Sequence, residues 1–268
     1  MAEFATTAWH VDLLFLLGMT VAVGGYSAVV RPRETRTAVF FAAGLILLAL
    51  TVLSPLDALA REYLLSARMT QHLLLSQIIP PLLLLGLPAS AVSSALRRPA
   101  VAAVERQIRR PMVAWTAGIG ALWLWHWPPL FDLSTGNATV GHLQHLFVLV
   151  AGLVFWWPIF SPLRGARIGT LPAVAYLVGA CLASTTLGMV LAFAPNVVYA
   201  AYRQPIDSYG ILPSLRGAGL TAQADQQIGG LLMWVPCCAL YVSAIGVVLL
   251  RWYTTPEPAM NSRAAVAG

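Results

Sequence analysis

The sequence predicts an all-α protein: a polytopic transmembrane helical bundle of seven spans, with the N-terminus outside and the C-terminus inside. Three observations carry that expectation. Hydrophobic residues make up 59% of the 268 and charged residues only 10%, where an average soluble domain is roughly 25% charged. Seven apolar runs are long enough to cross about 30 Å of hydrocarbon, which takes roughly 20 helical residues each. The sixteen arginines divide unequally between alternate loops, twelve in 31–36, 97–110, 164–167 and the C-terminal tail and four in the other set, and an excess of positive charge marks the cytoplasmic side.

The runs fall at about 9–30, 37–55, 67–88, 111–131, 140–162, 171–195 and 226–252. Ahead of the first, "MAEFATTAW" holds Glu3 and no Arg, the reverse of a basic signal-peptide n-region, so this run is expected to be retained as a span. The third, within "LSARMTQHLLLSQIIPPLLLLGLP" (65–88), contains Pro80 and Pro81. Proline has no N–H, so the carbonyls of Ser76 and Gln77 lose their helical donors, a kink is expected, and the freed acceptors need other partners. The fourth run ends in "WLWHWPPLFD", the fifth opens on "HLQHLFVLVAGLVFWWP", and the seventh reads "ADQQIGGLLMWVPCC". Most tryptophans sit near run ends, as an aromatic belt requires. The longest segment between runs, 196–225, is too short for a domain of its own, so residues 1–268 are expected to form a single transmembrane domain.

Several chemistries drop out at this stage. Every positive residue is Arg and there is no Lys, which excludes Schiff-base linkages. The net charge of +6 is spread over short loops between apolar runs and forms no basic domain for nucleic acid. Cys181, Cys237 and Cys238 all lie inside apolar runs and give no extracellular disulfide framework.

The histidines are the informative residues. On this topology His10 opens the first span, His72 lies about one turn into the third, His126 is near the end of the fourth, and His142 and His145 open the fifth, all at the outer side. Met69 and His72, and likewise His142 and His145, are three apart and share a helix face. Asp12, Asp132 and the "ADQQ" of 224–227 fall at the same level, and Met233 lies about two turns into the last span. Imidazole with thioether points to copper, because sulfur selects Cu(I), whereas Mg or Ca would take carboxylates. Ionisable groups within a span are costly and so are candidate functional groups. Met233 and Cys237, four apart on the last span, suit either close helix packing or a soft-ligand relay.

Taken in order, "MTQHLLLSQIIPPLLLLGLP", "WLWHWPPLFD", "HLQHLFVLVAGLVFWWP" and "ADQQIGGLLMWVP" resemble the CtaG family of the caa3 type, over about residues 65–253. The resemblance implies a seven-helix protein of the bacterial cytoplasmic membrane that assists assembly of cytochrome c oxidase, without turnover of its own. It implies copper, expected as Cu(I), delivered to an oxidase subunit docked alongside. Carried onto this sequence, the metal residues would be Met69, His72, His126 and His145, with His142 beside them. Asp225 and Gln226 match as well and would give support, Asp225 by steadying the cation or orienting a ligand His; Met233 and His10 join them as supporting residues from their place in the topology alone. Many members carry His before the motif Met and Met after the motif His, where this chain has Arg68 and Leu73. A haem-binding membrane cytochrome, a transporter and a metal-free assembly chaperone remain alternatives at this level; the crowding of ionisable residues at one end, with few at mid-span, speaks against a proton-driven carrier.

Overall fold

The computed structural model describes residues 2–9, 12–30 and 35–254, and among them it contains helices and no strand. The apolar runs become α1 (Leu13–Val29), α2 (Thr35–Leu53), α3 (Leu65–Gly86), α4 (Pro111–Trp125), α5 (Ala138–Phe160), α6 (Thr170–Phe193) and α7 (Ala222–Thr254). Of these, α2, α3, α5, α6 and α7 are long and apolar enough to cross a membrane, while α1 has 17 residues and α4 has 15. Fifteen residues rise roughly 22 Å.

The expected continuous span over 111–131 is therefore corrected. Residues preceding proline are pushed out of the α region, and Trp127, ahead of Pro128, has ψ 122°. The chain consequently leaves α4 at His126 and restarts as a separate helix, Pro128–Gly136, with its prolines in the first turn, where their missing N–H groups cost nothing. This corner sets His126 at a helix end.

In α3 the proline pair acts as expected, by a specific route. The helix widens into a π-helical turn over Leu74–Ile78 just before Pro80 and Pro81. Trp156 of α5 then donates its indole N–H to the freed Ser76 carbonyl at 3.0 Å. Gly152 makes that approach possible, since a Cβ there would lie 2.8 Å from the same oxygen.

The core is built mainly from α5, α6 and α7. Phe155, Trp156, Tyr176, Leu177 and Tyr241 are buried together, with the Tyr176 hydroxyl donating to the Phe155 carbonyl at 2.7 Å. Helices α6 and α7 meet closely at Gly188 and Gly230, where an added Cβ would come within 2.7 and 2.5 Å of the partner backbone. Such close small-residue seams are how helices associate in lipid, where apolar burial alone gives little drive. By contrast, α1 is attached at the edge, through stacking of Tyr26 on Phe41 with ring centroids 3.9 Å apart and a Tyr26 hydroxyl bond to the Gly86 carbonyl.

Candidate functional site

The polar residues at one end of the bundle separate into two adjoining groups, both organised by the start of α3. Successive helical residues turn by about 100°, so Arg68 and Gln71 face one side while Met69 and His72 face another.

The first group is hydrogen-bonded. Arg68 is 1% exposed and donates to Ser134 Oγ at 3.3 Å and to Gln144 Oε1, with His145 Nε2 at 3.4 Å from its other terminal nitrogen. Gln71 donates from Nε2 to the Thr51 carbonyl at 2.9 Å and to Asp57 Oδ1 at 3.0 Å. Asp57 also pairs with Arg61 at 3.1 Å and lies 4.0 Å from His145 Nε2. Asp57 sits in the connection between α2 and α3. Burial pushes its carboxyl up, but His145, Arg61, the Gln71 hydrogen bond and Arg68 together outweigh that and hold it below the ordinary 3.8. The charges of this layer are thus compensated from several sides, as buried charge requires.

The second group contains Met69, His72 and His126, all buried. His126 Nδ1 lies 2.6 Å from the Leu122 carbonyl. A carbonyl only accepts, so Nδ1 carries the proton and Nε2 of the neutral ring presents a lone pair. That nitrogen faces Met69 Sδ at 3.3 Å, so two lone-pair donors face each other. The His72 ring stands edge-on to His126, centroids 5.2 Å apart, and its Nε2 has no hydrogen-bond partner. Below the rings is a cavity of about 30 Å³ lined by His72, His126, Gln77, Trp125 and Tyr241 among others, room for about two waters. Gln77 Oε1 and Trp125 Nε1, which also lack partners, belong to its wall. One thioether and two neutral imidazoles could hold a soft cation.

The remaining expected residues are placed elsewhere. His145 joins the Arg68 layer. His142 is outward, its side chain 47% exposed and its Nδ1 3.8 Å from Asp12, because the buried stripe of α5 runs through Gly141, Gln144, His145 and Val148. Its i, i+3 spacing to His145 therefore makes no shared grip. Among the described residues no group of three or more His, Cys, Asp and Glu side chains converges as a metal site. His10 lies outside the described residues. Asp225 acts on backbone: its carboxylate accepts from Leu65 N at 2.6 Å, Ser66 N at 3.2 Å and Ser66 Oγ. It thereby caps the N-terminus of the helix that carries both groups. Gln226 accepts from Val198 N at 2.6 Å and donates to the Leu191 and Asn196 carbonyls, tying down the 196–225 segment. Met233 is buried in a cluster with Leu65, Met69 and Tyr199.

Sequence reasoning missed the cover of the site. Tyr199 stacks on Phe131, ring centroids 3.8 Å apart, and donates to the His126 carbonyl at 3.1 Å. Tyr202 donates to the Ala60 carbonyl, and Asp132 accepts from Ala200 N at 3.4 Å. It also missed Asp57, Gln71, Ser134 and Gln144. A signal for two of them was present in the repeated Gln-His dipeptides, Gln71-His72 and Gln144-His145.

The fold and site define a helical protein, with helices long enough to cross a membrane and a closed imidazole–thioether centre at one end of the bundle. The chain belongs to the family of cytochrome c oxidase caa3 assembly factors, whose model matches residues 9–255. No curated protein and no solved structure matches it.

Proposed function

We propose that this assembly factor binds Cu(I) at Met69, His72 and His126 and passes it to an oxidase subunit docked alongside, without turnover of its own. The observation that carries the reading is the opposition of His126 Nε2 and Met69 Sδ at 3.3 Å, with the ring tautomer fixed by the Leu122 carbonyl. Two facing lone pairs repel unless a cation lies between them. Thioether and imidazole are ligands suited to Cu(I), and metal-binding imidazoles are commonly oriented by a carbonyl on the other ring nitrogen. Arg68 adds a charge argument. A neutral ligand set next to a buried guanidinium opposes a divalent ion more than a monovalent one, since repulsion scales with charge.

In this reading His145 holds Arg68 and stands outside the ligand set, and Tyr199 with Phe131 closes the centre over. The finer topology goes with it: seven spans in the bacterial cytoplasmic membrane, N-terminus outside, the copper centre at the outer side, and lipid around the bundle. The haem alternative fits poorly. Two axial imidazoles must leave a flat slot between them, whereas the His72 and His126 rings meet edge to face at 5.2 Å, and the cavity beneath, at about 30 Å³, is an order of magnitude below the roughly 300 Å³ at which ligand pockets begin.

The test is anaerobic Cu(I) titration of detergent-purified protein against a chromogenic chelator, beside oxidase activity in cells carrying the same variants. Met69→Leu with His126→Ala is expected to abolish binding at this centre and to lower oxidase activity. A folded double variant that supports normal oxidase assembly overturns the copper reading and leaves the metal-free chaperone.

A further inference from the structure

The close seam between α6 and α7 has a chemical consequence two turns below the glycines. Gly188 and Gly230 let the two backbones touch. Seven residues before Gly188 stands Cys181, and eight after Gly230 stands Cys238. The helices run antiparallel, so these steps carry both chains in the same direction. Two turns along the seam Cys181 stands on the face of α6 that meets Cys238 of α7, as the contact made by Thr185 shows. Thr185, one turn from Cys181, has its hydroxyl 3.1 Å from Cys238 Sγ. Both cysteines are half-buried and neither is in a disulfide. Cys237, on the next face, is buried in the core instead.

We propose that Cys181 and Cys238 form a second Cu(I) site, a two-coordinate dithiolate bridging α6 and α7 within the membrane-crossing part of the bundle. Soft thiolates select Cu(I), and the two sulfurs come from facing helices whose backbones touch at Gly188 and Gly230. Binding is an exchange with no redox change: two S–H bonds break, two Cu–S bonds form, and two protons leave to water. The Thr185 hydroxyl, 3.1 Å from the Cys238 sulfur, can donate to that sulfur once copper has displaced its proton. A chain of polar groups connects this place with the centre at the end of the bundle. Gln77 and Tyr241 both line the cavity; the Tyr241 hydroxyl lies 3.4 Å from Ser184 Oγ; and Thr185, the neighbour of Ser184, touches Cys238. The identity of the metal rests on the copper reading above; the pairing of the thiols does not.

The test is Cu(I) stoichiometry of the full chain in nanodiscs, anaerobic, by chelator competition, with copper-edge X-ray absorption on each sample. The wild type is expected to bind two equivalents, Cys181→Ser with Cys238→Ser one, and Met69→Leu with His126→Ala one, whose copper sees two sulfurs and no nitrogen. Circular dichroism and thermal melting confirm that serine, close in shape to cysteine, leaves the helices intact. If the double serine variant keeps the full stoichiometry, the thiol site is overturned while the centre at Met69 and His126 stands. If the Met69 and His126 variant loses nothing and the serine variant loses one equivalent, the thiol site stands and the proposed function fails. Nitrogen or oxygen neighbours in place of the two sulfurs also overturn the thiol site.

Discussion

Arg68 and Met69 are adjacent in sequence and belong to different chemistries. Around Arg68 the polar groups compensate charge: Gln144, Ser134 and His145 face its terminal nitrogens, and Gln71 and Arg61 bond Asp57, while Arg68 Nε, Gln71 Oε1, Gln144 Nε2 and His145 Nδ1 have no partner. Around Met69 the groups are neutral: His126 offers a lone pair to a sulfur that has only lone pairs, and His72 Nε2 points at nothing. The contrast teaches that polar residues at one depth of a helical bundle need not form one site. The layer that carries charge and compensates it holds the helices in place, and the neutral thioether–imidazole layer, open to a ligand, is where a soft cation gains most.

The largest effect that could break this contrast comes from the charged layer. Arg68→Met removes the cation and leaves Gln144 and Ser134 without their donor, and breaking a buried charged network from one side costs about 3–5 kcal/mol. Loss of folded protein is expected, read as a fall in thermal midpoint and as protease sensitivity. In the open layer Met69→Leu conserves volume and is expected to cost under about 1.5 kcal/mol, while Cu(I) affinity falls by about 10-fold or more, a metal–ligand loss of at least 1.4 kcal/mol. Arg68→Met retaining the fold, or Met69→Leu losing it, would show that the two layers have been assigned the wrong way round.

Asp57 and Asp225 sharpen the comparison at intermediate size. Asp57 is held below its ordinary 3.8, so its contribution to stability is fully present above the unfolded value and is lost as pH falls through the lower folded value. Wild type minus Asp57→Asn should therefore narrow on acidification below about pH 4, as measured by thermal melts across pH; a gap that stays constant removes the electrostatic role. Asp225→Asn weakens three bonds at the start of α3, and a helix cap is worth about 0.5–2 kcal/mol. Copper affinity should change little, because the carboxylate touches backbone and Ser66 only.

Much of the fold was readable in the sequence, because helices that cross a membrane must be long and apolar and cannot hide. The expected 67–88 is Leu65–Gly86, and 171–195 is Thr170–Phe193. The exceptions were 9–30, which becomes the 17-residue α1, and 111–131, where hydropathy continues past Pro128 and the backbone cannot. For the candidate centre, Met69, His72 and His126 could be singled out because few residue types offer soft lone pairs. That His145 would turn to Arg68 was not, since spacing along one helix says which residues share a face and is silent on which neighbour that face meets. Tyr199 and Tyr202 were illegible for a related reason: they reach the site from the 196–225 segment through contacts more than sixty residues distant in sequence. Arg68, seen in the sequence only as the place of a missing ligand, is the centre of the charged layer.

The smallest expected effect is the most discriminating about what the site contains. His142 was grouped with His145 by spacing, yet its side chain is 47% exposed and meets Asp12 only at 3.8 Å, a surface pair of the kind worth roughly 0–1 kcal/mol. His142→Ala should leave stability within about 0.5 kcal/mol and leave Cu(I) affinity and oxidase activity unchanged, in melts, chelator competition and cell assays respectively. His72→Ala, a buried member of the open layer three residues from Met69 on α3, should lower Cu(I) affinity in the same assays. If the two substitutions weakened copper binding equally, burial beside the Met69 sulfur would no longer separate ligand from bystander, and proximity to the same end of the bundle would be all that the histidines share.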